Sequence, residues 1–150
     1  MKCVIVCVGT DKISGDSLGP MVGSILRSRH VPCPVFGVEG CTVNGVNLDR
    51  YRDFLARYYP GVPVVAVDAA LGDASEVGQI RYRLGGVFAG GALGRRCAGL
   101  GNLAVLGVVG PKGEDALSTL LEVPLSAVER LAYRIADKLT EVLDEWEAIG

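Results

Sequence analysis

The sequence predicts an α/β protein, a three-layer α/β/α arrangement around a mostly parallel central sheet. Three observations carry that prediction. Apolar, β-prone runs recur at residues 3–8, 62–67 and 103–109 and are apolar on both faces, as strands inside a parallel sheet are. Segments with apolar residues at helical spacing lie between and after these runs. The resulting order of strand, helix, strand, helix, strand is that of an open sheet with helices on both faces.

Each element has its own signals. The run Cys3-Val4-Ile5-Val6-Cys7-Val8 is the first strand, ended by Gly9 and Thr10. A polar loop follows from Asp11 to Ser17. Leu18-Gly19-Pro20 opens a helix, with proline in the first turn where its missing N–H costs little. Met21, Val22, Ile25 and Leu26 give this helix its apolar face, and it ends near His30, ahead of Pro32 and Pro34. Residues 35–38 make a short second strand, and Asn44-Gly45 is a turn signal. Asn47 caps a second helix in which Tyr51, Phe54, Leu55 and Tyr58 recur, and Pro60-Gly61 stops it. The third strand, 62–67, ends at Asp68. Residues 78–84 read as a further extended strand.

Residues 85–101 hold seven glycines and read as a long, mobile or tightly turning loop. The strand at 103–109 is broken by Gly110-Pro111. Ser126 and Glu129 form a capping-box pattern for a C-terminal helix whose stripe is Leu131, Ile135, Leu139, Val142 and Trp146. No internal repeat or linker interrupts the chain, so residues 1–150 are expected to form one domain. The simplest layout puts the second strand on one side of the first and the third on the other. That creates a topological switch point between strands one and three, where ligands and chemistry gather in such sheets.

Composition narrows the function. At 150 residues, 49% hydrophobic and 21% charged, the chain is globular and not disordered. A net charge of −2 without a basic stripe argues against nucleic acid as a partner. Five cysteines without a CxxC pair, and a single histidine (His30), give no zinc-finger pattern; reduced thiols in a cytosolic protein are the expectation. The apolar runs are too short for a secretory signal or a membrane span, so a soluble, intracellular protein is expected.

Two carboxylates stand out. Asp16 lies in the loop after the first strand, within Ser14-Gly15-Asp16-Ser17-Leu18-Gly19-Pro20, and Asp68 stands where the third strand ends, within Val67-Asp68-Ala69-Ala70-Leu71-Gly72. If those strands are neighbours, both acids sit at one place. Like charges held close raise one pKa, so an acid and a base coexist near neutral pH and can activate water and protonate a leaving amine. Each acid also has a simpler reading: Asp16 as a helix cap, Asp68 as a turn cap or a ribose or metal ligand. The glycines of residues 9–19 fit neither a P-loop nor GxGxxG. Ser14, Ser17 and Ser24 lack a nucleophile elbow. Cys7 or Cys41 as a nucleophile would need a base, and His30 falls at a helix end. Asp11, Glu39, Asp73 and Glu76 read as loop or surface acids, with Asp11 close enough in sequence to assist Asp16. Asn102 reads as a turn residue or as a group facing the crevice.

The stretch from Val8 to Gly23 resembles the opening motif of the YyaC sporulation family, and Val65-Ala66-Val67-Asp68-Ala69-Ala70-Leu71-Gly72 resembles its second motif. Val77-Gly78-Gln79-Ile80 and the 103–109 strand also fit, so the resemblance covers most of the chain. That family is similar to the germination protease, an atypical aspartic peptidase that degrades small acid-soluble spore proteins. Asp16-Ser17-Leu18-Gly19-Pro20 matches its Asp-x-Leu-Gly-Pro motif and Asp68-Ala69 its Asp-Ala motif.

The resemblance implies the germination-protease and hydrogenase-maturation-protease fold. It implies catalytic roles for Asp16 and Asp68, no cofactor, a protein or peptide substrate such as small acid-soluble spore proteins, and a cytoplasmic place in the forespore or spore core. Hydrogenase maturation endopeptidases share the fold and bind nickel through two acids and a His. Asp16 and Asp68 fit the two acids, but no His follows Asp68. The chain is also much shorter than the germination protease and has no room for its propeptide. Two rival readings remain: a non-catalytic sporulation factor that binds a partner through residues 85–101, and a metal-dependent amidase built on Asp11, Asp16 and Asp68.

Overall fold

The structure is a computed structural model that describes residues 2–88 and 99–149. Among the described residues five strands form one sheet: β1 (Val4–Cys7), β2 (Val35–Phe36), β3 (Val64–Gly72), β4 (Ile80–Leu84) and β5 (Leu103–Pro111). Their spatial order is β2-β1-β3-β5-β4. The pairs β1–β2, β1–β3 and β3–β5 are parallel, whereas β4 runs antiparallel to β5 at the sheet's edge. The helices are α1 (Leu18–Ser28), α2 (Leu48–Tyr58), α3 (Ala116–Glu122) and α4 (Leu125–Ile149). This is the mostly parallel α/β architecture that the sequence predicts, with the second and third strands on opposite sides of the first.

Two apolar layers flank the sheet. On one face Ile5, Cys7, Val67 and Val105 pack against Leu18, Val22 and Leu26 of α1 and Val128, Leu131 and Ile135 of α4. Gly107 sits in this layer because a Cβ there would lie 2.4 Å from the Leu18 side chain. On the other face Val4, Val6, Ala66 and Ala104 pack with Leu48 and Leu55 of α2. Phe36 extends that layer, its ring 6.0 Å from Tyr51 and 5.6 Å from Phe54. Ile5, Leu18, Leu26, Leu48 and Ile135 are fully buried, and each contributes roughly 1.5–3 kcal/mol through burial.

Several local expectations are corrected. β3 does not end at Asp68 but continues to Gly72, held by β5 after β1 has stopped. β5 runs through Gly110 to Pro111, because a proline at a strand terminus forfeits no inner ladder bond. Asn47 precedes α2 as expected, but its side chain does not cap it. Its Oδ1 accepts the Asn44 N–H and its Nδ2 donates to the Thr42 carbonyl, tying the preceding turn instead. Ser126 and Glu129 lie inside α4, which starts one residue earlier; the Pro124 carbonyl accepts the Ala127 and Val128 N–H groups. Helix α3 was not expected.

The glycine-rich segment is not an open loop at its two ends. Val87 and Leu100 exchange both backbone hydrogen bonds, prolonging the β4–β5 ladder, and residues 89–98, with Cys97, lie outside the described residues. Among the described residues, Cys3, Cys7, Cys33 and Cys41 are free thiols, and no helix is long and apolar enough to cross a membrane.

Candidate active site

Asp16 is placed by a folded-back loop. The chain leaves β1 at Val8, whose N–H still donates to the Val67 carbonyl, and turns at Gly9, whose N–H donates to Val43. A single 3-10 turn (Ser14–Asp16) then leads into α1. The Thr10 N–H donates both to the Asp16 carbonyl, at 3.1 Å, and to its carboxylate Oδ2, at 3.2 Å. Gly9 is required for this approach: at its φ of 152°, a Cβ would stand 2.2 Å from the Asp16 carbonyl oxygen. Gly19 serves the same purpose at the start of α1, where a Cβ would meet the Val8 carbonyl at 2.1 Å.

The loop is buttressed from outside. Ser17 is buried and its hydroxyl donates to the Ser14 carbonyl at 2.6 Å. The Ser14 hydroxyl donates to the Leu120 carbonyl of α3, and Gly15 presses against the Leu120 backbone. The carboxylate therefore points back to the loop at Thr10. The residue preceding α1 is Ser17, and it makes no side-chain cap bond. The capping role for Asp16 is thereby set aside.

Asp68 is only 8% exposed. The last rung of the β1–β3 ladder is Cys7 to Val67, so Asp68 is the first β3 residue past the end of β1, still paired with Leu106 of β5. That is the crevice at the carboxyl end of the switch point. Its Oδ1 accepts the Ala69 N–H at 2.8 Å. Asp68 thus stands where the sequence reading needed it, although the strand continues beyond it.

Both acids are raised, and one of them by the other. Burial pushes Asp16 up to about 6, against the opposing pull of the Thr10 N–H. Asp68 is held well above the usual carboxylate range, first by burial and then by the charge of Asp16. The Ala69 N–H and the Arg83 guanidinium pull Asp68 the other way without prevailing. Asp16 thus ionises near pH 6 while the protonated form of Asp68 is favoured, and such an arrangement can offer one proton acceptor and one proton donor.

The remaining candidates go elsewhere. Asp11 is exposed, and its Oδ2 accepts the Gly40 N–H at 2.8 Å, joining two loops. Asp73 and Glu76 form a capping box, and Glu76 also pairs with Arg81. Asn102 does not face the crevice: its Oδ1 accepts the Val64 N–H at the amino end of β3. Cys7 is buried and its thiol is pushed up by burial, the wrong direction for a nucleophile. His30 follows the end of α1 with φ 53°, next to the amino ends of the strands. Sequence reasoning missed Arg83, whose charge reaches Asp68 from β4; its signal was the Arg-Tyr-Arg alternation at 81–83.

Comparison with known proteins fits this architecture. A family model described as "Protein of unknown function (DUF1256)" matches residues 1–138. The uncharacterized protein YyaC of Bacillus subtilis (strain 168) is 30% identical over 138 residues, 91% of this chain and 67% of YyaC. Among solved structures, a NiFe hydrogenase maturation protease HycI from Thermococcus kodakarensis KOD1 superposes with a TM-score of 0.62 at 22% identity, covering 95% of this chain and 92% of that one. The NiFe hydrogenase maturation protease HybD from Thermococcus kodakarensis gives 0.52 at 20% identity, covering 93% and 99%. No His follows Asp68, and among the described residues no three His, Cys, Asp or Glu side chains are grouped to hold a metal ion.

Proposed function

The chain belongs to the DUF1256 family, and on that footing we propose that it is an endopeptidase in which Asp16 and Asp68 share the acid and base work. The observation that carries this reading is the pair itself: two carboxyl groups at the carboxyl end of adjacent strands, both raised by burial, one raised further by the other. A protease-like fold and the Asp-x-Leu-Gly-Pro and Asp-Ala matches support it.

The chemistry runs as general acid–base hydrolysis. Ionised Asp16 takes a proton from a water as its oxygen bonds to the scissile carbonyl carbon. Protonated Asp68 gives its proton to the amide nitrogen as the C–N bond breaks, leaving a carboxylic acid and an amine. Afterwards Asp16 holds the water's proton and Asp68 is ionised, and exchange with solvent restores both. No step uses a metal.

The substrate class we assign is protein, with small acid-soluble spore proteins as the first to test, in the forespore or spore core. The test is cleavage of such proteins by the wild type, by a chelator-treated sample, and by Asp16→Asn and Asp68→Asn variants verified as folded. Wild-type cleavage is expected to survive chelation and to fall by about 10²-fold or more in each variant. Full activity in either variant overturns the assignment.

A further inference from the structure

Strand β4 ends the sheet, and its outer side is open among the described residues. The ladder fixes which groups face outward. Val108 uses both its N–H and its carbonyl toward β4, and Val87 and Leu100 exchange both of theirs. By alternation, Arg81 and Arg83 bond β5 opposite Leu106 and Ala104. The N–H and carbonyl groups of Ile80, Tyr82 and Leu84 therefore point away from the sheet.

The side chains of β4 divide by face. Ile80 packs against the α4-side layer, so Tyr82 and Leu84 share that face, 57% and 87% exposed. Arg81 and Arg83 stand on the opposite face. Arg81 is paired with Glu76, whereas the Arg83 guanidinium donates to the Gly86 carbonyl and, among the described residues, meets no carboxylate in an ion pair. Natural edges are blunted by shortness, by proline, by charged side chains or by a covering element, and of these β4 carries charge, Arg81 and Arg83, which selects the partner it can pair with. β4 contains no proline and exposes two apolar side chains.

We propose that the β4 edge binds a partner polypeptide as an added antiparallel strand, and that the bound segment alternates acidic with apolar residues. Main-chain bonds to Ile80, Tyr82 and Leu84 supply the pairing, and the alternate side chains supply specificity. An acid on one face of the segment meets Arg83, beside the Arg81–Glu76 pair; apolar groups on the other cover Tyr82 and Leu84. A second copy of the chain is a poor occupant. Antiparallel pairing of two β4 strands centred on Tyr82 sets Arg81 opposite Arg83 twice, and like charges directly opposite destabilise a pair. Peptide binding is read without any cleavage, so although the Arg83 charge reaches Asp68, the binding is tested apart from hydrolysis.

The test is fluorescence anisotropy of a fluorescein-labelled, acetylated and amidated peptide, Thr-Glu-Val-Glu-Val-Glu-Thr, titrated with the whole chain. A peptide with Lys for Glu and a scrambled peptide of the same composition run beside it. The acidic alternating peptide is expected to bind about tenfold or more tightly than either control. Tyr82→Pro removes an outward N–H while sparing the β5 ladder and is expected to abolish binding; Tyr82→Ala, which keeps the N–H, retains some of it. Arg83→Glu is expected to reverse the preference toward the Lys peptide, and it decides the matter if Tyr82→Pro does not fold. No binding, equal binding of the scrambled peptide, or no effect of either Tyr82→Pro or Arg83→Glu overturns the proposal. So does sedimentation showing a dimer that Tyr82→Pro dissociates, which would give the edge to a second copy.

Discussion

Asp16 and Asp68 sit where ionisation costs the folded state, and the sign of that cost is testable. The unfolded Asp16 carboxyl releases its proton near the ordinary value of 3.8, the folded one at about 6. Between about pH 4 and 6 the folded Asp16 holds a proton that the unfolded one has lost, so its contribution to stability falls as pH rises through that window and is level above it. Asp16→Asn cannot ionise and still offers an oxygen to the Thr10 N–H. It is expected to gain on the order of 1–3 kcal/mol at pH 7.5 and nothing at pH 3.5. Asp68→Asn is expected to gain in the same direction, with a window reaching further up, because Asp68 is raised by burial and by Asp16 together. Thermal melts across pH read both; a variant less stable than wild type at pH 7.5 refutes the corresponding charge burial. The same values set the expected rate profile. Cleavage should rise through about pH 6 as Asp16 ionises and fall at higher pH as Asp68 loses its proton, and a profile flat from pH 4 to 7 contradicts the roles assigned.

Helix α3 is the element that holds the Asp16 loop from outside, and its removal from register should be felt in the site before the fold. A Cβ on Gly15 would stand 2.8 Å from the Leu120 carbonyl oxygen and 2.9 Å from its Cα, backbone that cannot swing aside. Gly15→Ala is therefore expected to displace the turn bearing Asp16 and to lower activity about tenfold or more, while circular dichroism shows the sheet intact. Leu120→Ala, at a fully buried position, is expected to cost about 2–5 kcal/mol.

That element was also the one least legible in the sequence. Seven residues are too few for a helical period to announce itself, and Leu117 and Leu121 on α3 are exposed. By contrast β1 was legible because Val4, Ile5, Val6 and Cys7 are apolar on both faces, and the placement of the candidate acids was legible because β1 and β3 are neighbours. The overrun of β3 was hidden because only β5, far along the chain, supports residues 69–72. The caps misled for a related reason: Asn47 and Ser126 are the right residue types, but a nearby turn and Pro124 supply the partners.

Across the whole molecule the sheet is covered unequally, and that should appear as a gradient of amide exchange. β1 and β3 have strands on both sides and apolar layers above and below, whereas among the described residues β4 has one neighbour and four exposed residues in succession, Arg81 to Leu84. Exchange through local opening follows burial and hydrogen bonding, so amides of Val4–Cys7 and of the β3–β5 ladder should exchange last, near the limit set by global unfolding. Within β4 an alternation is expected: the Arg81 and Arg83 amides, bonded to β5, slower than the Tyr82 and Leu84 amides, which face outward. Residue-resolved exchange by nuclear magnetic resonance measures both. Addition of the acidic alternating peptide should slow the Tyr82 and Leu84 amides and leave β1 unchanged, because a strand added at the edge satisfies only those outward groups. Uniform protection along β4 in the isolated chain would mean that the edge is already covered, and the segment that covers it would then be the partner to remove before any peptide could bind.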